Sequence, residues 1–164
     1  MGYPTQLQRI RRNHALEHAT VALLLERGIR PPLGGYSVPG GYVIWSKAPC
    51  EQISEAINDA LKLLNAGQHE LAISPHCGTN ISVGILIGSV TAVIVRGRNR
   101  GLGANVRAAI VAMAATALLS KPLGIFIQRK ITTDSRLNDL KITSIRKVLG
   151  SPINILWVST QSAS

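Results

Sequence analysis

The sequence predicts an α+β fold, in which a small mixed head is interrupted by an apolar two-helix hairpin embedded in a membrane. Two uncharged apolar runs, 81–95 and 108–120, lie in the middle of the 164 residues. Segments with the alternating pattern of strands lie on both sides of these runs, and a segment with helical periodicity begins the chain. A chain of this length forms one core, so we expect 1–80 and 129–164 to build the head and 81–128 to form the hairpin.

The first element is a helix from about Thr5 to Arg27, with Thr5 as its N-cap and Gly28 as its stop. Residues at spacings of three and four form one stripe along this helix, namely Leu7, Ile10, His14, Glu17, Val21 and Leu24. This stripe is expected to be the packing face. The polar atoms of two histidines and a glutamate on a packing face need partners, because their burial otherwise costs stability.

A β-hairpin is predicted next, since Tyr36 and Val38 alternate before the turn "PGG" and Tyr42 and Ile44 alternate after it. The chain then has the pattern of a second helix, and "HELAIS" (69–74) is a short strand candidate.

The second helix begins at Pro49 and is stopped by Gly67. In the tail, apolar residues alternate around the breaker "GSP", and they are Leu140, Ile142, Ile153, Ile155 and Trp157. We therefore expect a second strand pair there.

The composition of the two apolar runs suits membrane helices. The first run has 15 residues without a charge, which is shorter than the roughly 20 that span a bilayer, and the second continues past Lys121 and Pro122. Gly84 and Gly88 have the small-xxx-small spacing that permits close packing of helices, either within the hairpin or between copies. Four arginines in the loop between the runs are expected to face lipid headgroups. A buried hairpin of a soluble protein is the alternative.

Composition and charge favour a membrane over nucleic acid as the partner. Apolar residues make up 46% of the chain and charged residues only 16%, with a mean hydropathy of +0.20. The net charge of +10 suits either nucleic acid or anionic lipid. The chain lacks the interleaved aromatic and basic residues of single-strand binders. We therefore expect a lipid bilayer as partner and no nucleic acid.

The basic N-terminus does not have the pattern of a signal peptide, because Glu17, two histidines and Glu26 interrupt or bound its apolar run. Without an export signal, Cys50 and Cys77 are expected to be reduced. The loop between the two apolar runs and the stretch after them are both basic, so the positive-inside rule does not decide the orientation of the hairpin. The absence of the signal peptide favours a cytoplasmic head.

The segment "HALEH" (14–18) has the His-x-x-Glu-His order of the inverted zincins. His14 and His18 lie one helical turn apart, with Cβ atoms about 6 Å from one another, so one zinc ion can bind both imidazoles. Glu17 could then act as a general base on a bound water. Further ligands must come from elsewhere, and "SPHCGTN" (74–80) offers His76 and Cys77 on a turn.

These residues favour a membrane-associated zinc hydrolase, most naturally a peptidase. His14, His18 and either Cys77 or His76 would hold the metal, and an exposed edge of the glycine-rich hairpin could hold a peptide or membrane-protein substrate. In one alternative, a closed metal site belongs to a non-catalytic scaffold, assembly or regulatory protein, and Glu17 orients an imidazole. In the other, the polar residues hydrogen-bond to "CGTN" and there is no metal.

Two motifs, "HALEH" (14–18) and "PHCGT" (75–79), carry a resemblance to known families. Over most of its length the chain resembles a small, largely cyanobacterial family of membrane proteins of unknown function. At the motifs and the following helix it is also similar to the YqhQ-like membrane proteins, which have a His where this chain has Ser74. The resemblance implies a bacterial inner or thylakoid membrane and a shared polar site at His14, Glu17, His18 and Cys77. The further glutamate ligand of inverted zincins has no clear counterpart, although Glu51, Glu55 and Glu70 are available.

Overall fold

The computed structural model describes residues 5–75, 77–98 and 100–162. These residues form a mixed α+β structure, which confirms the predicted fold class. The elements are α1 (Gln6–Glu26), β1 (Gly34–Val38), β2 (Gly41–Ser46), α2 (Cys50–Asn65), α3 (Gly78–Arg96), α4 (Leu102–Ile127), β3 (Leu140–Leu149) and β4 (Asn154–Ser162). They group into two compact units, which we call the head (5–74 and 131–162) and the hairpin (75–130).

Helix α1 begins and ends where the sequence predicts. The Thr5 side chain accepts a hydrogen bond from the Gln8 backbone, and the Gln8 side chain accepts one from the Thr5 backbone at 2.7 Å. This reciprocal capping satisfies two of the backbone N–H groups that a helix start leaves without partners. Gly28 follows the helix with φ of +80°, a conformation that glycine adopts without strain.

The buried surface of α1 is broader than the predicted stripe. Leu7 is 63% exposed, whereas the polar residues Asn13 and Thr20 are fully buried. The middle of α1 contacts both β1 and β2 on one side and α2 on another, so more than one face of the helix is covered. The predicted packing face is therefore wrong at Leu7 and too narrow elsewhere, because the prediction assumed that only one face of the helix is covered.

The head contains one antiparallel sheet with the strand order β1-β2-β4-β3, and both predicted strand pairs are confirmed. Tyr42 and Ile44 of β2 lie opposite Val158 and Leu156 of β4, and all four are buried. In β1, by contrast, Tyr36 does not join the core, because it is 69% exposed. These inward side chains and the apolar residues of α1 and α2 form the core of the head.

The segment "HELAIS" is not a strand. His69–Ala72 is a short 3-10 helix, with Ala72 buried and Ile73 N–H bonded to the Glu70 carbonyl. The chain leaves α2 through Gly67, at φ of +94°, and turns tightly back onto α1. The prediction was wrong because a short apolar alternation fits a single helical turn as well as a strand.

In the hairpin unit, α3 packs along α4 through small residues. A Cβ atom at Gly88 would lie 2.8 Å from the Thr116 hydroxyl, and one at Gly84 would lie 3.3 Å from Ser120 Cβ. The Thr116 hydroxyl also donates a hydrogen bond to the Gly84 carbonyl at 3.3 Å. The small-xxx-small spacing therefore serves contact between these two helices, as one of its two interpretations predicted.

Both hairpin helices are long and apolar enough to cross a membrane. Only 11% of the apolar window of each helix is buried, so their described contacts do not enclose them in a core. Large apolar side chains point outward along α3, namely Ile81, Ile85, Leu86, Val90, Val93 and Ile94. A hairpin buried inside a soluble core, the alternative to a membrane hairpin, would have these residues covered.

One polar network lies inside the hairpin. Gln128 donates a hydrogen bond to Asn80 Oδ1 at 2.9 Å, and Asn80 Nδ2 donates to the Pro75 carbonyl at 2.7 Å. Gly124 is required beside this network, because a Cβ atom there would collide with Asn80. Asn80 belongs to "CGTN", so part of that motif is used to order the start of α3.

Candidate metal centre

The two histidines of "HALEH" lie side by side on α1. His18 is 5% exposed and His14 is half-buried, and the centroids of their rings are 4.2 Å apart with an edge-to-face arrangement. This follows from their spacing of four residues, which places both side chains over the same helical turn. The predicted proximity of the two imidazoles is therefore found.

Backbone carbonyls fix the orientation of both rings. His18 Nδ1 lies 2.8 Å from the Ala72 carbonyl oxygen, and His14 Nδ1 lies 3.0 Å from the Thr132 carbonyl oxygen. A carbonyl oxygen only accepts hydrogen bonds, so we assign the proton of each neutral ring to Nδ1. Each ring then carries its metal-binding lone pair on Nε2.

Glu17, which lies between the two histidines in the sequence, is buried and contacts β1. It is 6% exposed, and its Oε2 accepts a hydrogen bond of 2.6 Å from the Ser37 hydroxyl. A Cβ atom at Gly35 would lie 2.5 Å from Glu17 Cγ and 2.8 Å from the Val43 carbonyl oxygen. Glycine at position 35 therefore lets β1 approach this carboxylate closely.

Other buried polar residues of α1 escaped the sequence analysis. Asn13 donates to the Val38 carbonyl at 2.7 Å and accepts from the Thr160 hydroxyl at 2.6 Å. The hydroxyls of Thr20 and Tyr42 are 3.1 Å apart. Burial raises the pKa of Tyr42, so this phenol stays protonated at neutral pH. The sequence signal for Asn13 and Thr20 was their position beside the motif on α1.

Cys77 precedes the first residue of α3 and caps it. Its Sγ accepts a hydrogen bond from the Thr79 backbone N–H at 3.4 Å and lies 3.3 Å from the Thr79 hydroxyl. Within the head, His14 and His18 could together hold a metal ion, and Cys77 stays the predicted third ligand of this group. His76, the alternative predicted ligand, lies outside the described residues.

The remaining candidates do not join this group. His69 and Glu70 are exposed, as are Glu51 and Glu55, so none of these glutamates supplies the further ligand of an inverted zincin. Cys50 is a free thiol at the start of α2, where it packs against the core of the head as a small apolar residue.

The fold and the site thus define a class: a mixed α+β protein with two apolar helices and a pair of neighbouring histidines able to hold a metal ion. The chain belongs to the family described as a domain of unknown function, DUF6391, whose model matches residues 9–145. It is 36% identical over 142 residues to an uncharacterised protein of Picosynechococcus sp., an alignment that covers 79% of this chain and 68% of that protein. No solved structure matches the chain. The expectation of an uncharacterised family of unknown function is confirmed.

Proposed function

We propose that this chain is a membrane-associated zinc hydrolase. His14, His18 and Cys77 are the metal ligands of this proposal. It is carried by the two hydrogen bonds from Nδ1 to backbone carbonyls, because histidines that ligate metals almost always donate their second ring N–H to such an acceptor. Two neighbouring rings that share this arrangement would ligate one ion through their Nε2 atoms.

The donor set suits zinc in a catalytic rather than a saturated site. Among the described residues, two nitrogens and one thiolate would leave the fourth tetrahedral position for a water or a substrate. When bound, the metal would supply a Lewis acid that lowers the pKa of a coordinated water.

Glu17 is the general base in this proposal. Its burial and its position directly before a ligand favour proton transfer at the site rather than contact with bulk solvent. In amide hydrolysis, the water oxygen bonds to the carbonyl carbon and the C–N bond breaks. Glu17 would take the proton from the water and give it to the departing nitrogen.

We further propose that the substrate is an extended peptide segment. The first strand, β1, is an edge of the sheet, and its Gly35 and Ser37 lie against Glu17. A segment that adds to this edge by backbone hydrogen bonds would pass beside the carboxylate.

The substitution Glu17→Gln tests the catalytic part of the proposal. Glutamine keeps the volume and can still accept the Ser37 hydrogen bond, so we expect unchanged folding and unchanged zinc content. Cleavage of an unstructured peptide library, followed by mass spectrometry, should fall by about 10²- to 10⁴-fold, the usual contribution of a general base. Turnover equal to that of the wild type would overturn the role of Glu17.

A second function, a non-catalytic scaffold with a structural metal site, is favoured by one observation. The 2.6 Å bond from Ser37 and the close approach of Gly35 make Glu17 part of the contact between α1 and β1. In that case Ser37→Ala would lower the melting temperature, and Glu17→Gln would leave the phenotype of cells that carry it unchanged. In the catalytic case, Glu17→Gln abolishes the function at an unchanged melting temperature.

We propose that the hairpin lies in a bacterial inner or thylakoid membrane, with the head on the cytoplasmic side. The outward apolar residues of α3 and the low burial of both hairpin helices support the membrane location. The free thiol of Cys50 supports a reducing compartment for the head. Protease added to intact spheroplasts should leave the head uncut, and cleavage of the head before lysis would contradict this orientation.

A further inference from the structure

The sheet of the head has a second face, opposite α1, which we call the outer face. Gly35 and Ser37 contact Glu17 of α1, so alternation along the strands places their neighbours on the other side. The strand register extends this side across the sheet, and it contains Tyr36, Val43, Trp45, Ser144, Arg146, Ile155 and Trp157. None of these residues is fully buried.

Both tryptophans of the chain lie on the outer face. Trp45 and Trp157 are half-buried, and Tyr36 beside them is 69% exposed. The Trp157 indole donates a hydrogen bond of 2.8 Å to the Ser159 hydroxyl, so its polar edge is directed along the strand. Tryptophan and tyrosine combine an apolar body with a polar tip, and this combination is enriched where protein meets the headgroup region of a bilayer.

The charge of this sheet has one sign. Its four strands contain no aspartate or glutamate, whereas β3 carries Lys141, Arg146 and Lys147, all exposed. Arg146 lies directly opposite Trp157 in the register. A groove of about 350 Å³ is lined there by Arg146, Lys147, Val148 and Trp157. Cations beside an aromatic floor suit a phosphate group attached to an apolar moiety.

We propose that the outer face binds anionic lipid headgroups, with Trp45 and Trp157 in the interfacial layer and Arg146 on a lipid phosphate. Charge argues against a second copy of the chain as the occupant, because two such faces would bring cations together without an acidic residue between them. Nucleic acid is disfavoured, since three cations are fewer than the six to ten phosphate contacts of typical binders. The choice of lipid rests on the proposed membrane location, because a head joined to an inserted hairpin by two chain connections stays close to the bilayer.

The two tryptophans allow a direct test with the full chain. The protein is reconstituted into vesicles of neutral phosphatidylcholine alone, or with added anionic phosphatidylglycerol, each containing a headgroup spin-labelled lipid that quenches tryptophan. We expect quenching to be stronger with the anionic lipid. The double variant Lys141→Glu/Arg146→Glu should weaken the docking equilibrium by at least about fivefold for each cation removed. The variant Arg30→Glu/Lys62→Glu, with the same change in net charge on exposed residues away from the strands, should behave as the wild type.

The remaining outcomes separate this inference from the membrane location. Flotation with neutral vesicles reports insertion of the hairpin alone. A chain that floats but shows equal quenching with and without anionic lipid would overturn the headgroup site and leave the membrane location intact. A chain that floats with neither vesicle would overturn both. Tryptophan quenching by an RNA oligonucleotide in detergent, without quenching in vesicles, would assign the face to nucleic acid instead.

Discussion

Helices α1 and α3 have similar lengths, 21 and 19 residues, but opposite relations to their surroundings. The middle of α1 buries Asn13, Glu17 and His18, and each of these side chains has a hydrogen-bond partner in the head. In α3 the apolar side chains point outward, and the buried residues are Asn80 and Gly84. The comparison teaches that burial, and not hydropathy alone, distinguishes the two helices: α1 holds a buried polar site, and α3 presents an exposed apolar surface.

The largest expected effect is on membrane association, and it comes from a substitution on the apolar surface of α3. Leu86 is 65% exposed near the middle of the helix, and Leu86→Lys would place a charge in the hydrocarbon region at a cost of about 3 kcal/mol. The variant should shift the protein out of the membrane fraction. Leu102→Lys is the matched control, because Leu102 begins α4 and a lysine there reaches the headgroup layer. Equal recovery of both variants in the membrane fraction would contradict the comparison.

A smaller effect, on the stability of the head, is expected at Asn13, one of the buried polar residues of α1. Asn13→Ala removes hydrogen bonds to the Val38 carbonyl and from the Thr160 hydroxyl, and it should lower the free energy of unfolding in detergent by about 2 kcal/mol. Asn58→Ala, at an exposed position of α2, is the control, and its effect should stay below about 0.5 kcal/mol. If the two alanine variants have the same stability, the polar residues of α1 do not hold the head together.

The smallest expected effect depends on pH. Arg12 on α1 donates a hydrogen bond of 2.8 Å to Asp139, and this bond lowers the pKa of that carboxyl below 3.8. A carboxyl with a lowered pKa in the folded state stabilises it above its unfolded pKa, and this contribution is lost as the pH falls through the folded value. Asp139 is partly exposed, so Asp139→Ala should cost only about 0.5 kcal/mol at pH 7.

Chemical denaturation of wild type and Asp139→Ala at several pH values checks this prediction. The difference between their free energies of unfolding should be constant at neutral pH and shrink below pH 3.8. A difference that persists unchanged into strong acid would show that packing, and not the ion pair, stabilises this contact.

Local signals in the sequence predicted most of the head. The capping residues Thr5 and Gln8, the stop at Gly28 and the alternation around two turns are short-range features, and the structure uses them as expected. The prediction failed where the structure depends on more distant neighbours. Leu7 fits a helical stripe but is 63% exposed, and part of "HELAIS" forms a short 3-10 helix after the end of α2.

The candidate site was predictable only in its ligand types. The spacing of His14 and His18 places two imidazoles over one turn whatever the rest of the fold does. The carbonyls of Ala72 and Thr132, which orient those rings, carry no signal in the sequence, since every residue has a backbone carbonyl. The contact of Ser37 with Glu17 likewise depends on the strand register, which sets the inward face of β1.

Metal content tests the central claim most directly. The full chain, purified in detergent, would be analysed by inductively coupled plasma mass spectrometry beside His14→Ala, His18→Ala and Cys77→Ala, with Cys50→Ala as the control thiol. We expect about one zinc per chain in the wild type and in Cys50→Ala, and loss of zinc in the three ligand variants. A folded wild type without stoichiometric metal, or zinc retained in all three variants, would contradict the metal centre and leave "HALEH" as a buried hydrogen-bonding cluster.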